Sequence, residues 1–240
     1  MIAPPQSAMV LAAGLGTRLR PVTEHLPKPL VAVGGCTLID HALDRLALAG
    51  VAQVVVNTHY RAAMIAAHLA GRDRLRIAIS QEAELLDTGG GVLQALPLLG
   101  ETFFVVNSDV LWTEGRDPAL LRLAHAFDPG LMDALLLLQP TVGAIGYDGV
   151  GDYFVDGLGR PQRRREREVA PYLFAGVQLL HRRLFDAVGE RVFSLVALYD
   201  RAEAAGRLAA IVHDGAWYHV GTPEGLAAAR SRFSFRRIEG

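Results

Sequence analysis

Short apolar runs alternate with amphipathic stretches through the first two-thirds of the chain, a pattern that predicts strands joined by crossover helices into a mostly parallel sheet. Apolar runs at 9–13, 53–57, 75–80, 102–107 and 133–138 read as strands, and helical spacing at 37–49, 61–70, 90–98 and 118–127 reads as helices. In the first of these helices Leu38, Leu43, Leu46 and Ala47 share a face while Asp40, Asp44 and Arg45 lie largely off it, which marks a packing helix. Beyond residue 145 the rhythm changes. "YFVDGLG" predicts a hairpin, "YLFAGVQLL" a buried strand, "SLVALYDRAEAAG" a helix ended by Gly206, and "RLAAIVH" another strand. A closing helix over 223–232 has Thr222 at its N-cap and Pro223 at its first position. The expected fold class is α/β, a three-layer sandwich around a mostly parallel mixed sheet, in a single domain over 1–240.

Charge narrows the partners. The chain has 24 Lys and Arg against 25 Asp and Glu, so no bulk field draws it to nucleic acid or an anionic membrane, and a phosphate ligand must be held locally. Cys36 is the sole cysteine, which excludes an intrachain disulfide and fits a reducing compartment, with the cytoplasm as the default. No run approaches the ~20 apolar residues of a membrane-spanning helix, and "MIAPPQSAMVLAAG" lacks the basic start of a secretory signal. Residues 1–7 are expected to be a loose end. "RPQRRRERE", 160–168, reads as a solvated mixed-charge stretch.

The stretch with chemistry in it is "VLAAGLGTRLRPVTEHLPKPL", 10–30. Gly14 and Gly16 follow directly on an apolar strand, where glycines let backbone N–H groups turn toward an anion. Two glycines alone also suit a tight turn with no ligand. Arg18, Arg20 and Lys28 tip the balance, because three clustered cations repel one another unless something negative is bound. Pro21, Pro27 and Pro29 stiffen the return path and hold Lys28 in place. The third glycine of a dinucleotide fingerprint and the Lys-Ser/Thr pair of a P-loop are both absent. An oxidoreductase would need an acidic ribose-binding residue some 20 positions on, and Asp40, near that distance, falls inside a predicted helix.

The run "LAAGLGTRLRP…PKPLVAVGG" resembles the signature of the sugar-1-phosphate nucleotidyltransferases. "LLDTGGGVLQALPLL" (85–99), "FFVVNSDVLW" and "AWYHVGTPEGLAAA" resemble further segments of that family, so the likeness runs from residue 9 to about 230. It implies a Rossmann-like nucleotidyltransferase fold and a reaction that joins a nucleoside triphosphate to a sugar 1-phosphate, giving an NDP-sugar and pyrophosphate. It assigns Arg18, Lys28 and Asp109 to catalysis, and Leu11, Ala13, Gly14, Gly16, Thr17, Thr88, Gly89, Gly90 and Asn107 to the nucleotide. Gly151, Asp152 and Glu168 go to the sugar, and Asp109 to magnesium. The length, "DTGGG" and "GVGDYF" are most similar to members that transfer uridylate to N-acetylmuramate 1-phosphate in cell-wall recycling; guanylyltransferases for mannose or heptose 1-phosphate come next. The chain carries no counterpart of the C-terminal β-helix found in some members.

Two positions depart from the family pattern. His219 stands where the closing segment has a second metal-binding Asp; it suits manganese or zinc better than magnesium. Three roles are open to it: metal ligand, cation on a phosphate, or neither. Retained activity with an altered metal site is the preferred reading, with manganese able to replace magnesium. Val169 follows Glu168 where many members carry a Lys that meets the sugar phosphate, and Arg163–Arg165 are the candidates to supply that charge. A non-catalytic sugar-nucleotide-binding regulator is the alternative of another class, motivated by His219. Oligomeric state is not readable from the sequence.

Overall fold

The computed structural model describes residues 5–233. In chain order the strands are β1 (Ser7–Leu11), β2 (Ala32–Val33), β3 (Cys36–Thr37), β4 (Gln53–Thr58), β5 (Arg76–Gln81), β6 (Thr102–Asn107), β7 (Val110–Trp112), β8 (Ala134–Pro140), β9 (Ala144–Ile145), β10 (Tyr153–Val155), β11 (Pro161–Arg163), β12 (Tyr172–His181), β13 (Leu208–Val212) and β14 (Trp217–His219). The helices are α1 (Leu38–Leu48), α2 (Ala62–Leu69), α3 (Asp87–Ala95), α4 (Ala119–Ala126), α5 (Leu195–Ala204) and α6 (Pro223–Phe233). Nine strands form the main sheet among the described residues, in the order β11-β10-β12-β6-β1-β4-β5, with β8 between β12 and β13. β5, β4, β1 and β6 run parallel, and β12 turns the sheet antiparallel.

Period-two alternation of apolar residues sorts the central strands into two faces. Ala8, Val10, Val54, Val56, Phe104 and Val106 pack toward Leu43 and Leu46 of α1, Ile65 of α2 and Leu123 of α4. Met9, Val55, Phe103 and Val105 pack toward Val92 of α3 and Leu198 of α5. A smaller cluster joins Leu19 and Val31 to Tyr218, Val220 and Leu226, so the amino-terminal loop rests on β14 and α6. No helix among the described residues is long and apolar enough to cross a membrane.

The predicted three-layer α/β sandwich with a mostly parallel mixed sheet is present. Thr102–Asn107 falls where predicted, and Thr37 caps α1 in a reciprocal capping box with Asp40. Thr222 accepts from Gly225 N at 3.2 Å at the start of α6. Three expectations need correction. The chain is not loose up to residue 7: Ser7 opens β1, and Gln6 O accepts from Ala52 N at 3.0 Å and Gln53 N at 3.1 Å. α3 begins at Asp87 rather than residue 90, because three successive glycines are tolerated in a helix whose neighbours press on them. The charge run 160–168 is not simply solvated: Pro161–Arg163 is a strand, and Arg163 pairs with Asp200 through two guanidinium nitrogens.

Candidate active site

Parallel pairing brings the carboxyl ends of three strands to one level, Leu11 registering with both Asn57 and Asn107. Ligands of open α/β sheets collect at such ends, and a cleft of about 630 Å³ opens there. Its floor is the turn after β1. A Cβ on Gly14 would meet nothing within 4 Å, so backbone is bare to the cleft. Gly16 has φ +65°, and a Cβ there would press on Thr23 and Lys28 at 3.1–3.3 Å. Thr23 Oγ1 donates to Gly16 O at 2.7 Å and closes the turn. Lys28 opens a tight 3-10 turn fixed by Leu30 N donating to Pro27 O at 2.9 Å.

Lys28 Nζ donates to Asp109 Oδ2 at 2.7 Å, with side chains 11% and 26% exposed. Asp109 lies between β6 and β7, its carbonyl accepting from Val220 N at 3.0 Å and so tying it to the segment after β14. Burial pushes the Asp109 carboxyl up, but Lys28, then His219 and Arg18, outweigh it and hold the group below the usual carboxylate range. His219 pairs in register with Val110, and its ring stacks on Trp217 at 6.1 Å and 10°. Burial pushes the imidazole down; Asp109 opposes that while Lys28 and Arg18 reinforce it. Burial and the neighbouring cations thus favour the neutral imidazole.

Among the described residues no three His, Cys, Asp or Glu side chains gather as a metal cage. Magnesium held through one or two carboxylates plus substrate phosphates does not require such a cage. Asp109 fits such an ion. His219, a nitrogen donor better suited to manganese than to magnesium, is not among the residues lining the cleft.

Of the residues assigned from the sequence, Leu11, Ala13, Gly14, Gly16, Thr17, Arg18 and Lys28 line the cleft, as do Thr88, Asn107 and Asp109. Others do not. Arg20 is exposed and lies off the cleft wall. Gly89 and Gly90 are buried: a Cβ on either would collide with Phe193 or Arg191, and both N–H groups donate to Phe193 O, at 2.9 and 3.1 Å. Their glycine character serves the packing of segment 191–193. Gly151, Asp152 and Glu168 are also outside the cleft. Gly151 has φ +75° beside Ala170 O, Asp152 Oδ2 accepts from Phe174 N at 2.8 Å, and Glu168 Oε2 accepts from Arg165 N at 2.8 Å.

Sequence reasoning missed Asn57, Glu82, Asp87 and Ser108 in the cleft lining. Asn57 accepts from Ala12 N at 2.8 Å and donates to Glu82 Oε1 at 2.7 Å, and Glu82 Oε2 accepts from Leu86 N at 3.1 Å. A Cβ on Gly91 would sit 2.7 Å from Glu82 Oε1, so that glycine makes room for the buried pair. Asp87 has φ +58°, and strain of that kind gathers at functional sites. The available signal was a polar residue ending each apolar run, Asn57 after "VVV" above all.

The nucleotidyl transferase family matches residues 7–137. The chain is 42% identical over 236 residues to an N-acetylmuramate alpha-1-phosphate uridylyltransferase of Caulobacter vibrioides, covering 96% of this chain and 98% of that one. It is 33% identical to the Neisseria meningitidis protein of the same name, covering 90% and 93%. The solved inositol-1-phosphate CTP transferase of T. maritima superposes with a TM-score of 0.78 at 18% identity, over 98% of both chains, a likeness of fold.

Proposed function

The chain belongs to the nucleotidyl transferase family as a sugar-1-phosphate nucleotidyltransferase, and from that premise we propose that it joins UTP to N-acetylmuramate 1-phosphate, giving UDP-N-acetylmuramate and pyrophosphate in cell-wall recycling in the cytoplasm. The observation that carries this reading is a bare glycine turn facing a Lys28–Asp109 pair across one cleft, in a chain aligned nearly end to end with uridylyltransferases of that specificity.

A phosphate oxygen of the sugar 1-phosphate attacks the α-phosphorus of UTP. The new P–O bond forms as the bond to the bridging α–β oxygen breaks, and pyrophosphate leaves with that electron pair. The attacking oxygen is already ionised at neutral pH, so no general base is required, and the protein's task is alignment and charge neutralisation. The N–H groups of the turn after β1 and Arg18 hold the triphosphate, and Arg18 faces the departing pyrophosphate. Lys28 faces the charge that grows around the α-phosphorus, and its bond to Asp109 keeps the ammonium aimed there. A divalent ion anchored by Asp109, magnesium or, with His219 as a nitrogen donor, manganese, would supply further neutralisation of the phosphates when bound.

The test is a panel of sugar 1-phosphates against UTP, GTP, CTP and dTTP, scored by pyrophosphate release with magnesium and with manganese. The expected product is UDP-N-acetylmuramate. Preference for mannose 1-phosphate with GTP would refute the proposed specificity, and nucleotide binding with no pyrophosphate release under either ion would refute the mechanism.

A further inference from the structure

A second hollow, of about 890 Å³, lies between the β10–β11 hairpin and α5. Two chain paths place it against the cleft. Along β12, Gly176 packs on Asn107 of the cleft wall, and Phe174, which lines the hollow, is two residues away, about 7 Å at the strand rise. Along the opposite side, Val192 lines the cleft and Val196 the hollow. The cleft and the hollow thus lie against neighbouring stretches of the same two segments, β12 and residues 192–196.

Three successive arginines border the hollow and do different things. Arg163 is neutralised by Asp200, and its backbone N–H donates to Glu203 Oε2 at 3.0 Å. Arg164 is a structural plug. Its Nε donates to Gly151 O at 2.8 Å, and its Nη1 donates to Arg165 O and Glu166 O, both at 3.0 Å, and to Glu168 O at 3.4 Å. The turn so filled is closed by Arg165 N donating to Glu168 Oε2 at 2.8 Å and Glu168 N donating to Arg165 O at 3.1 Å. Arg165 thus has a pinned backbone, while its guanidinium makes no hydrogen bond or ion pair among the described residues. Of the carboxylates on the lining, Asp152, Asp200 and Glu203 each already accept a bond, and Glu166 is on the exposed rim. What the hollow offers a ligand is an exposed guanidinium on a pinned backbone, uncommitted among the described residues, the group suited to bidentate capture of a carboxylate.

We infer that this hollow receives the sugar and that Arg165 reads a carboxylate on it. The inference rests on the proposed substrate, whose lactyl ether arm carries a second anion that plain hexose 1-phosphates lack. Arg165 is then a specificity-determining residue: it discriminates among sugars and does not take part in the transfer itself.

The test uses the full chain with Arg165→Ala, Arg165→Lys and, as a neighbouring exposed cation, Arg167→Ala. KM and kcat are measured for N-acetylmuramate 1-phosphate and for UTP, and the affinity for N-acetylglucosamine 1-phosphate, the same sugar without the lactyl arm, is measured by calorimetry. Arg165→Ala is expected to raise KM for the lactyl sugar at least tenfold. It should leave kcat, KM for UTP and the affinity for N-acetylglucosamine 1-phosphate within twofold of wild type. Arg165→Lys should restore part of the loss, and Arg167→Ala should change nothing. Equal weakening of both sugars would make Arg165 a phosphate contact or a loop prop and overturn the inference, as would no change in either. Failure of the underlying substrate assignment shows separately, in the wild type, as turnover of a neutral sugar 1-phosphate and none of the lactyl sugar; it overturns both.

Discussion

Replacing Lys28 with alanine separates a catalytic from a structural cation. The ammonium is 2.7 Å from Asp109 Oδ2 and its side chain is 11% exposed, so the substitution removes a nearly buried charge and one charged hydrogen bond. In folding terms such a bond contributes about 1.5–3 kcal/mol. Asp109, at 26% exposure, is still reachable by water once Lys28 is gone, so about 1–2 kcal/mol is expected, a Tm drop of roughly 2–8 °C at this chain length. Even from a starting stability of about 5 kcal/mol the variant would remain ~99% folded at 25 °C. In the transition state the loss is larger. A missing donor to developing charge costs about 3 kcal/mol, which is roughly 150-fold in rate. Steady-state pyrophosphate release beside urea denaturation reads both quantities. The expected outcome is a kcat some hundredfold lower in a protein that still unfolds cooperatively. A kcat within tenfold of wild type, or a raised KM for UTP at unchanged kcat, would refute the reasoning, the latter by making Lys28 a uniform binding contact.

Three further outcomes follow from the geometry. His219→Asp should shift the metal preference toward magnesium, read as tighter magnesium and weaker manganese binding by titration in the presence of UTP; an unchanged ratio would remove His219 from the ion's surroundings. Gly90→Ala drives a methyl into Arg191 O and should cost about 2–3 kcal/mol in urea denaturation while raising KM for UTP, because Val192 of the displaced segment lines the cleft; an unmoved midpoint would contradict the close approach. His213 is 2% exposed and burial pushes its imidazole down, so its contribution is fully present above about pH 6.5 and lost as pH falls toward the depressed folded value. Stability should therefore fall by up to about 1.4 kcal/mol per pH unit on acidification, and His213→Leu should flatten that slope; an identical slope would assign the acid sensitivity elsewhere.

The layers of the fold were legible because apolar alternation is a local signal. Met9, Val55 and Val105 on one face, with Val10, Val56 and Val106 on the other, state in sequence the two sides that helices must cover. Helix ends were legible where a cap is local, as at Thr37 and Thr222. The start of α3 was not. Glycine propensity argues against a helix over 89–91, and what overrides it is the Phe193 carbonyl accepting from Gly89 and Gly90, a partner a hundred residues away.

The same division runs through the candidate site. The cleft floor could be read because its parts are contiguous: the glycines, Arg18 and Lys28 lie within one loop, and the prolines that stiffen it are in the same run. The second hollow could not. Arginines 163, 164 and 165 are indistinguishable in a charge run, and only distant partners, Asp200 and Glu203 for the first and the Gly151 carbonyl for the second, decide which of them is left free. "TGGG" shows a subtler gap, since it is adjacent to the cleft as the motif implies, yet the glycines are small for the sake of Phe193, Arg191 and Glu82 rather than for a ligand. A motif thus locates a site more reliably than it explains the residue type, because evolution toward a ligand and evolution toward close packing leave the same glycine. The distinction is physical: Gly14 has open space where a Cβ would stand, and Gly90 has a carbonyl oxygen there, so alanine at the first tests ligand approach and alanine at the second tests the fold.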